Sequence, residues 1–348
     1  MPKLKVAICG GSGYTGSELL RILLAHPKVE VTAVTSEQSA GKSPVDLFPH
    51  LPQYAHLTYE PLDKKVLLKK ADLFFMALPH AASQEAVDFF YKKGKKVLDL
   101  SADYRLKNPL VYEQWYKTPH NFTKTLEKAV YGLPEIYRKK IKTTSVVAVP
   151  GCYPTSVLLG LYPLLKDDVI DTSTLVIDSK SGTSGAGRKS DVTLSFCEVN
   201  EGFKAYAVAS HRHTPEIEQE LSAIVKRPVA INFTPHLLPV NRGMLSTMYC
   251  RLRKRAEIED VERMYAKAYA HEPFVRVLKT GAFPNISAVK GTNRCDIGFV
   301  INDRTSTVIV VSAIDNLVKG AAGQAVQCMN LVMGYPETTA LEGAAACP

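Results

Sequence analysis

An apolar run that breaks into a glycine-rich turn constrains this chain more than any other feature. Lys5-Val6-Ala7-Ile8-Cys9 leads directly into Gly10-Gly11-Ser12-Gly13-Tyr14-Thr15-Gly16, and residues 17–26 carry Leu19, Leu20, Ile22, Leu23 and Leu24. A short apolar run ended by glycine reads as a buried strand. The leucine-rich stretch reads as a mostly buried helix that stops before Pro27. Residues 29–34 form a second strand, so the chain opens with a βαβ unit. Glycines at 10, 13 and 16 permit a tight turn and close approach of a pyrophosphate. The following helix N-terminus offers free N–H groups and the positive end of its dipole. A glycine turn can also exist without a ligand, but its place between first strand and first helix points to a dinucleotide.

The end of the second strand bears on which dinucleotide. NAD sites usually place an acid there to hold the ribose 2′-hydroxyl. Here the strand ends in Thr35-Ser36, with Glu37 beyond it and Lys42 near, while Glu30 stands at the wrong end of the strand. Hydroxyls and a cation suit a 2′-phosphate, so NADP is expected. The cofactor candidates are Gly10, Ser12, Gly13, Tyr14, Thr15, Gly16 and Ser36.

Strand-like and helical segments keep alternating up to about residue 150. Residues 73–78, 97–100 and 145–149 read as strands and 82–93 as a helix, which predicts an α/β Rossmann-type domain with a parallel sheet. Beyond 150 the texture changes. Residues 154–165, 215–226 and 257–270 read as helices, and 175–178, 229–233, 245–252, 275–278 and 308–311 as strands. This predicts an α+β second domain with a mixed sheet. Residues 316–333, rich in Ala and Gly, read as a last, closely packed helix. A length of 348 residues suits two domains.

The remaining composition excludes more than it selects. With 46% hydrophobic and 22% charged residues the chain is neither disordered nor a coiled coil. No apolar run approaches the ~18 residues that span a bilayer, and the N-terminus lacks a signal-peptide layout, so a cytoplasmic location without membrane attachment is expected. The net charge of +9 comes from short, scattered lysine groups beside apolar helical positions. These read as solvated helix faces, and no nucleic-acid motif accompanies them. Seven cysteines without any CxxC pair argue for reduced thiols, one of which can be chemical.

That one is Cys152. Gly151-Cys152-Tyr153-Pro154-Thr155 joins a strand to a helix, with Pro154 suited to the first helical position. A helix N-terminus favours thiolate, and ligands of α/β sheets bind at strand carboxyl ends. The competing reading, a small buried hydrophobe, is the expectation for Cys9, Cys197, Cys250 and Cys328. His211 and His213 lie just before a helix that Thr214 can cap and Pro215 can open, where a histidine can move protons at neutral pH. Further zinc ligands at suitable spacing are absent, so no metal is expected. His26, His50 and His56 read as surface or loop residues. Residues 181–188 form a second glycine-rich loop, either approaching a cofactor or acyl group or serving as a flexible hairpin.

Taken together the residues resemble the N-acetyl-γ-glutamyl-phosphate reductases, relatives of aspartate-semialdehyde dehydrogenase. The matching segments are GGSGYTG (10–16), LPH (78–80), SADYRL (101–106), YGLPE (131–135), PGCYPT (150–155), SGTSGAGR (181–188), HRHTPEIEQEL (211–221), TPHLLPVNRG (234–243), KGTNRCDIG (290–298) and IDNLVKGAAGQAVQ (314–327). They span nearly the whole chain. Val149 and Cys328 stand where the family usually has Asn.

The resemblance implies reversible, NADPH-dependent reductive dephosphorylation of N-acetyl-γ-glutamyl phosphate to the 5-semialdehyde, in arginine biosynthesis. It implies Cys152 as the nucleophile that forms a thioester, and His213 or His211 as acid/base. It further implies Ser184, Gly185 and Asn316 at the cofactor, and Arg105, Arg188 and Glu216 around the substrate, Glu216 also as a residue that can orient a histidine. A small-molecule acyl phosphate partner and a homo-oligomer, dimer or tetramer, follow from the same resemblance, as does a last helix that returns to the first domain, so that the expected division is 1–151 with about 316–348 for the dinucleotide-binding domain and 152–315 for the catalytic and oligomerisation domain. Three alternatives stay open at this point: a related reductase for a carrier-linked aminoadipyl phosphate, a nicotinamide-sensing protein without catalysis, and, least favoured, a nucleic-acid binder.

Overall fold

The computed structural model describes residues 2–188 and 190–345. The chain divides into two compact units, one built from Met1–Pro150 with Ala321–Glu342 and the other mainly from Gly151–Gly320.

The first unit carries seven strands: β1 (Leu4–Cys9), β2 (Val29–Thr35), β3 (Tyr59–Glu60), β4 (Leu73–Met76), β5 (Lys96–Asp99), β6 (Val130–Tyr131) and β7 (Val146–Ala148). All pair in parallel, in the order β3-β2-β1-β4-β5-β7-β6. Parallel sheets are covered on both faces, which is why their strands are apolar throughout. Val6 to Cys9 and Leu73 to Met76 are all buried, and Phe74 stacks on Phe90 of the Gln84–Lys92 helix with ring centroids 3.7 Å apart. The chain reverses its winding between β1 and β4, and the crevice outside the carboxyl ends of those strands is the ligand position of doubly wound sheets. The chain returns to this unit with Ala321. The Gly323–Val332 helix then packs in, where Gln324 donates to the Gly132 carbonyl (2.6 Å) and Asn330 Oδ1 pairs with His26 Nε2 (3.0 Å). That contact corrects the surface reading of His26, which is buried.

The second unit holds β8 (Val176–Gly182), β9 (Lys204–Ala205), β10 (Asn232–Leu238), β11 (Met244–Arg251), β12 (Val275–Val277), β13 (Cys295–Asn302) and β14 (Thr307–Ile314). Their order is β12-β13-β14-β11-β8-β10-β9, with β12–β13 and β8–β10 parallel and the other pairs antiparallel. β13 is the longest strand that the apolar pattern does not announce; the two-residue strands β3, β6 and β9 also escape it. Asp296 interrupts β13, buried because Arg276 of β12 binds its carboxylate (Nε to Oδ1, 2.9 Å), and Gly298 lies where a Cβ would come within 2.4 Å of the Ala282 carbonyl oxygen. Of the cysteines expected to be buried, Cys9, Cys250 and Cys328 are, but Cys197 is exposed on the short Phe196–Val199 helix.

The Cys152–Lys166 helix lies against β11 and β14. It starts at Cys152 itself, so Pro154 falls in the first turn rather than opening it, still where no main-chain donor is needed. Gly160 lets Met248 approach, and Ser156 Oγ meets Ser246 Oγ (3.0 Å) and Ser312 Oγ (2.6 Å). Pro163 sits inside the helix and has no N–H for the Leu159 carbonyl; the Tyr269 hydroxyl bonds that oxygen instead. Tyr269→Phe leaves a buried carbonyl unsatisfied. It should destabilise the protein by about 1–3 kcal/mol, read as a lower urea midpoint with an unchanged slope.

Candidate active site

In the first unit the glycine turn is defined by contacts that only glycine tolerates. Gly10 has φ +89°, and a Cβ on it would lie 2.3 Å from the Ala77 carbonyl oxygen. A Cβ on Gly16 would lie 2.5 Å from Gly11 Cα, so the helix and the strand end meet backbone to backbone. The N–H groups of Gly10 and Gly11 both bond the Thr35 carbonyl (3.2 and 2.8 Å). Gly13 is the N-cap of the Tyr14–Leu24 helix; no side chain caps that end and no acid lies in its first turn. An uncapped, uncompensated N-terminus at a switch-point crevice fits a dinucleotide pyrophosphate. Ser12 Oγ and Ser36 Oγ are 2.8 Å apart, Ser36 Oγ accepts the Ser39 N–H, and Tyr14 is partly exposed beside Thr15. Glu37 turns its carboxylate to the Leu62 N–H (2.9 Å), and Glu30 sits opposite Lys5 at the far end of β2.

Arg105 also lies in this unit. Its guanidinium is buried, with Nε donating to the Val149 carbonyl (2.7 Å) and an Nη to the Leu100 carbonyl (2.8 Å). These bonds fix the guanidinium against the main chain.

The second unit gathers the candidate nucleophile and both histidines. Gly151 is the N-cap of the Cys152 helix, and its N–H donates to Glu216 Oε1 (2.8 Å). Glu216 is buried in the first turn of the Thr214–Val225 helix, whose N-cap is His213 rather than Thr214. Glu216 thus acts on the nucleophile's own loop. Tyr153, next to Cys152, touches both histidine rings, at 5.4 Å to His211 and 5.9 Å to His213. His211 is further walled by Tyr206 and Phe233, and its Nδ1 accepts the His213 N–H (3.1 Å). Burial, with Arg212 adding to it, pushes the His211 pKa down to about 4. Gly320 was not foreseen. It lies in a π-helical turn, Val318–Ala322, and a Cβ there would sit 2.7 Å from Cys152 Cβ. π-turns frequently mark functional positions, and the closely packed KGAAG stretch was the one sequence signal for it.

The expected helix over 316–333 is corrected at its start. The Asp315 carboxylate accepts the Leu317 and Val318 N–H groups and an Arg242 Nη (3.2 Å), with Arg242 Nε in ion-pair contact at 3.0 Å, and Asn316 precedes the π-turn. Asn316 Nδ2 donates to Ser184 Oγ (2.9 Å) while its Oδ1 accepts the Gly243 N–H (2.9 Å). Gly185 adjoins both, since a Cβ on it would lie 3.8 Å from Asn316 Nδ2. The second glycine loop is no free hairpin: Thr183 and Ser184 N–H groups bond the Val240 and Asn241 carbonyls. Arg188 is exposed at the loop's end. Among the described residues no cluster of His, Cys, Asp and Glu could hold a metal ion, and no helix is long and apolar enough to cross a membrane.

Comparison with known proteins gives these two units a family. Residues 5–144 match the semialdehyde dehydrogenase NAD binding domain and residues 152–316 the semialdehyde dehydrogenase dimerisation domain. N-acetyl-gamma-glutamyl-phosphate reductase of Geobacter metallireducens is 56% identical over 98% of both chains, and that of Pelotomaculum thermopropionicum 52% over 99% of both. This chain belongs to the N-acetyl-γ-glutamyl-phosphate reductase family. It is an oxidoreductase of the semialdehyde dehydrogenase fold with a nicotinamide cofactor. Aspartate semialdehyde dehydrogenase II of Vibrio cholerae, complexed with ASA, superposes with a TM-score of 0.73 at 16% identity, covering 96% of this chain and 99% of that one. The enzyme from Candida albicans, solved with NADP, gives 0.71 at 15% identity over 95% and 98%.

Two tests follow from this geometry. Gly320→Ala drives a methyl into Cys152, so alkylation of that thiol should slow and kcat should fall about tenfold or more. For His211 the unfolded imidazole, with a pKa near 6.5, binds a proton that the folded one refuses down to about 4. Its contribution is therefore present above pH 6.5 and lost as pH falls through 4, worth about 3 kcal/mol at full protonation. Urea titrations at pH 7 and pH 5 should show a smaller loss of stability for His211→Asn than for the unaltered protein.

Proposed function

We propose that this chain catalyses the reversible conversion of N-acetyl-γ-glutamyl phosphate and NADPH to N-acetyl-L-glutamate 5-semialdehyde, phosphate and NADP⁺, in arginine biosynthesis. The observation that carries it is a cysteine at the start of a helix whose cap is held by Glu216, in the same unit as His211 and His213, within a chain 56% identical to a named reductase.

In the reductive direction Cys152 Sγ attacks the acyl carbon; a C–S bond forms, the C–O bond to phosphate breaks, and phosphate leaves. The nicotinamide, when bound, supplies the hydride that turns the thioester carbon into a thiohemiacetal. His213 donates a proton to the developing oxyanion. It takes the proton back as the C–S bond breaks and the aldehyde departs with Cys152 again a thiolate. His211, neutral and enclosed by aromatic rings, serves His213 by accepting its N–H. Glu216 positions the Gly151–Cys152 step instead of meeting substrate, since a buried carboxylate would repel an acyl phosphate. Arg188, with guanidinium geometry suited to phosphate or carboxylate, is a substrate ligand. Arg105 is assigned to the substrate as well, on the same guanidinium chemistry.

Several observations support NADP. The end of β2 places the Ser36 hydroxyl beside that of Ser12, with Lys42 beyond, while the Thr35 hydroxyl is turned inward to the Gly10 N–H and the Glu37 carboxylate to the Leu62 N–H. Ser184, Gly185 and Asn316 are assigned to the nicotinamide end. The match to a dimerisation domain supports a homo-oligomer, dimer or tetramer. Among the described residues no cysteine forms a disulfide, which suits the reducing cytosol.

The test follows NADPH absorbance with NADP⁺ and N-acetylglutamate semialdehyde, with and without phosphate. Phosphate-dependent NADPH formation is expected. Cys152→Ser should lose about a thousandfold or more in turnover while NADP binding stays normal, and His213→Asn about a hundredfold. Turnover that ignores phosphate would remove the acyl-phosphate step, and activity only on a carrier-linked acyl phosphate would reassign the substrate.

A further inference from the structure

The crevice between β1 and β4 has two walls of loop. The glycine turn after β1 is one. The other is the segment after β4, residues 77–83, against which Gly10 packs so closely that any side chain there would strike Ala77. This second wall is held in an unusual shape. Ala81 adopts φ +68°, a left-handed backbone that residues other than glycine avoid.

One side chain holds it there. Asp103, fully buried, accepts the Ala81 N–H at Oδ1 (2.7 Å) and the Ser83 N–H at Oδ2 (3.1 Å). The same two oxygens take the Tyr112 hydroxyl (2.7 Å) and the Ser83 hydroxyl (2.9 Å). A second staple runs from the Ala102 N–H to His80 Nδ1 (3.1 Å). Four donors converge on one carboxylate, and two of them are the main chain of the strained turn. Charge-assisted bonds to backbone N–H groups are strong and directional, so the turn keeps a shape that its own sequence disfavours. Ala81 itself is exposed, so nothing packed over it enforces that shape.

We infer that Asp103 is a positioning residue for the dinucleotide: by fixing the 77–83 turn, it sets the distance between the two walls of the nicotinamide cofactor's crevice. This rests on the nicotinamide-cofactor reading. Asp103 acts through the loop, and the effect belongs to cofactor binding rather than to the chemistry at Cys152.

The test measures the Kd for NADPH by fluorescence, together with KM and kcat, on the full chain. Ala81→Pro cannot adopt positive φ and removes the N–H that Asp103 accepts, yet it lies on an exposed turn and leaves the core intact. It should weaken NADPH binding about tenfold or more, with kcat at saturating cofactor within about threefold. Ala81→Gly suits the left-handed backbone and should bind within about twofold of the unaltered protein. Asp103→Asn should follow Ala81→Pro, and combining it with Ala81→Gly should recover part of the loss; if the Asn variant does not fold, Ala81→Pro decides. A folded Ala81→Pro protein that binds NADPH as tightly as the unaltered one overturns the inference alone. Unaltered protein that binds no nicotinamide dinucleotide overturns the cofactor reading, and the inference with it.

Discussion

A single hydrogen bond, from the Gly151 N–H to the Glu216 carboxylate, organises the reactive part of the second unit. A helix leaves its first N–H groups without partners, and a buried carboxylate needs donors. Glu216 answers both needs at once. It stands in the first turn of its own helix, where the dipole favours an anion, and accepts a hydrogen bond from the cap of another. The pairing locks two helix N-termini to each other. One begins with Cys152 and the other follows His213, so the candidate nucleophile and proton carrier share one rigid reference. Gly320 completes the arrangement by letting the π-turn approach Cys152 to a distance that no other residue allows.

The first unit solves a related problem with carboxylates from a strand end. Asp99, Asp103, Ser83 and Ser101 form a buried network at the carboxyl ends of β4 and β5. Burial and the neighbouring Asp103 push the Asp99 carboxyl up to about 7, while two main-chain donors and two hydroxyls meet the Asp103 carboxylate. Such a network is costly unless every member is satisfied. Here the loops are its donors. In both units, then, a buried carboxylate fixes main-chain geometry beside candidate site residues, and the surrounding fold keeps water from competing for it.

Much of the fold was legible because burial leaves a period in the sequence. The first strands read as continuous apolar runs, as covered parallel strands must. The helices over 215–226 and 257–270 were found within a residue or two, because capping residues and apolar spacing agree there. β13 was not legible. Its Asp296 and Gly298 violate the strand pattern, and only Arg276 and the Ala282 carbonyl, both remote in sequence, explain them. Cys197 and His26 were misread for the same reason: exposure of a cysteine and burial of a histidine depend on neighbours such as Asn330 that no local pattern names. At Asn316 the sequence suggested the start of a helix. Asp315 captures the following N–H groups and a guanidinium, and the chain turns with a wider pitch before the regular helix begins.

The sequence by itself determined the glycine turn between strand and helix, the alternation that makes a parallel sheet, and the thiol and histidines set at helix starts. These features are local, because steric limits on φ and the free N–H groups of a helix end act within a few residues. The tertiary structure alone decided which partners those groups take. It placed Glu216 on the Gly151 N–H, enclosed His211 in aromatic rings, brought Gly320 against Cys152, and gave Asp103 the turn at Ala81. Those choices join residues far apart in the chain, and their strength comes from exclusion of water, a property of the packed interior that no stretch of sequence carries on its own.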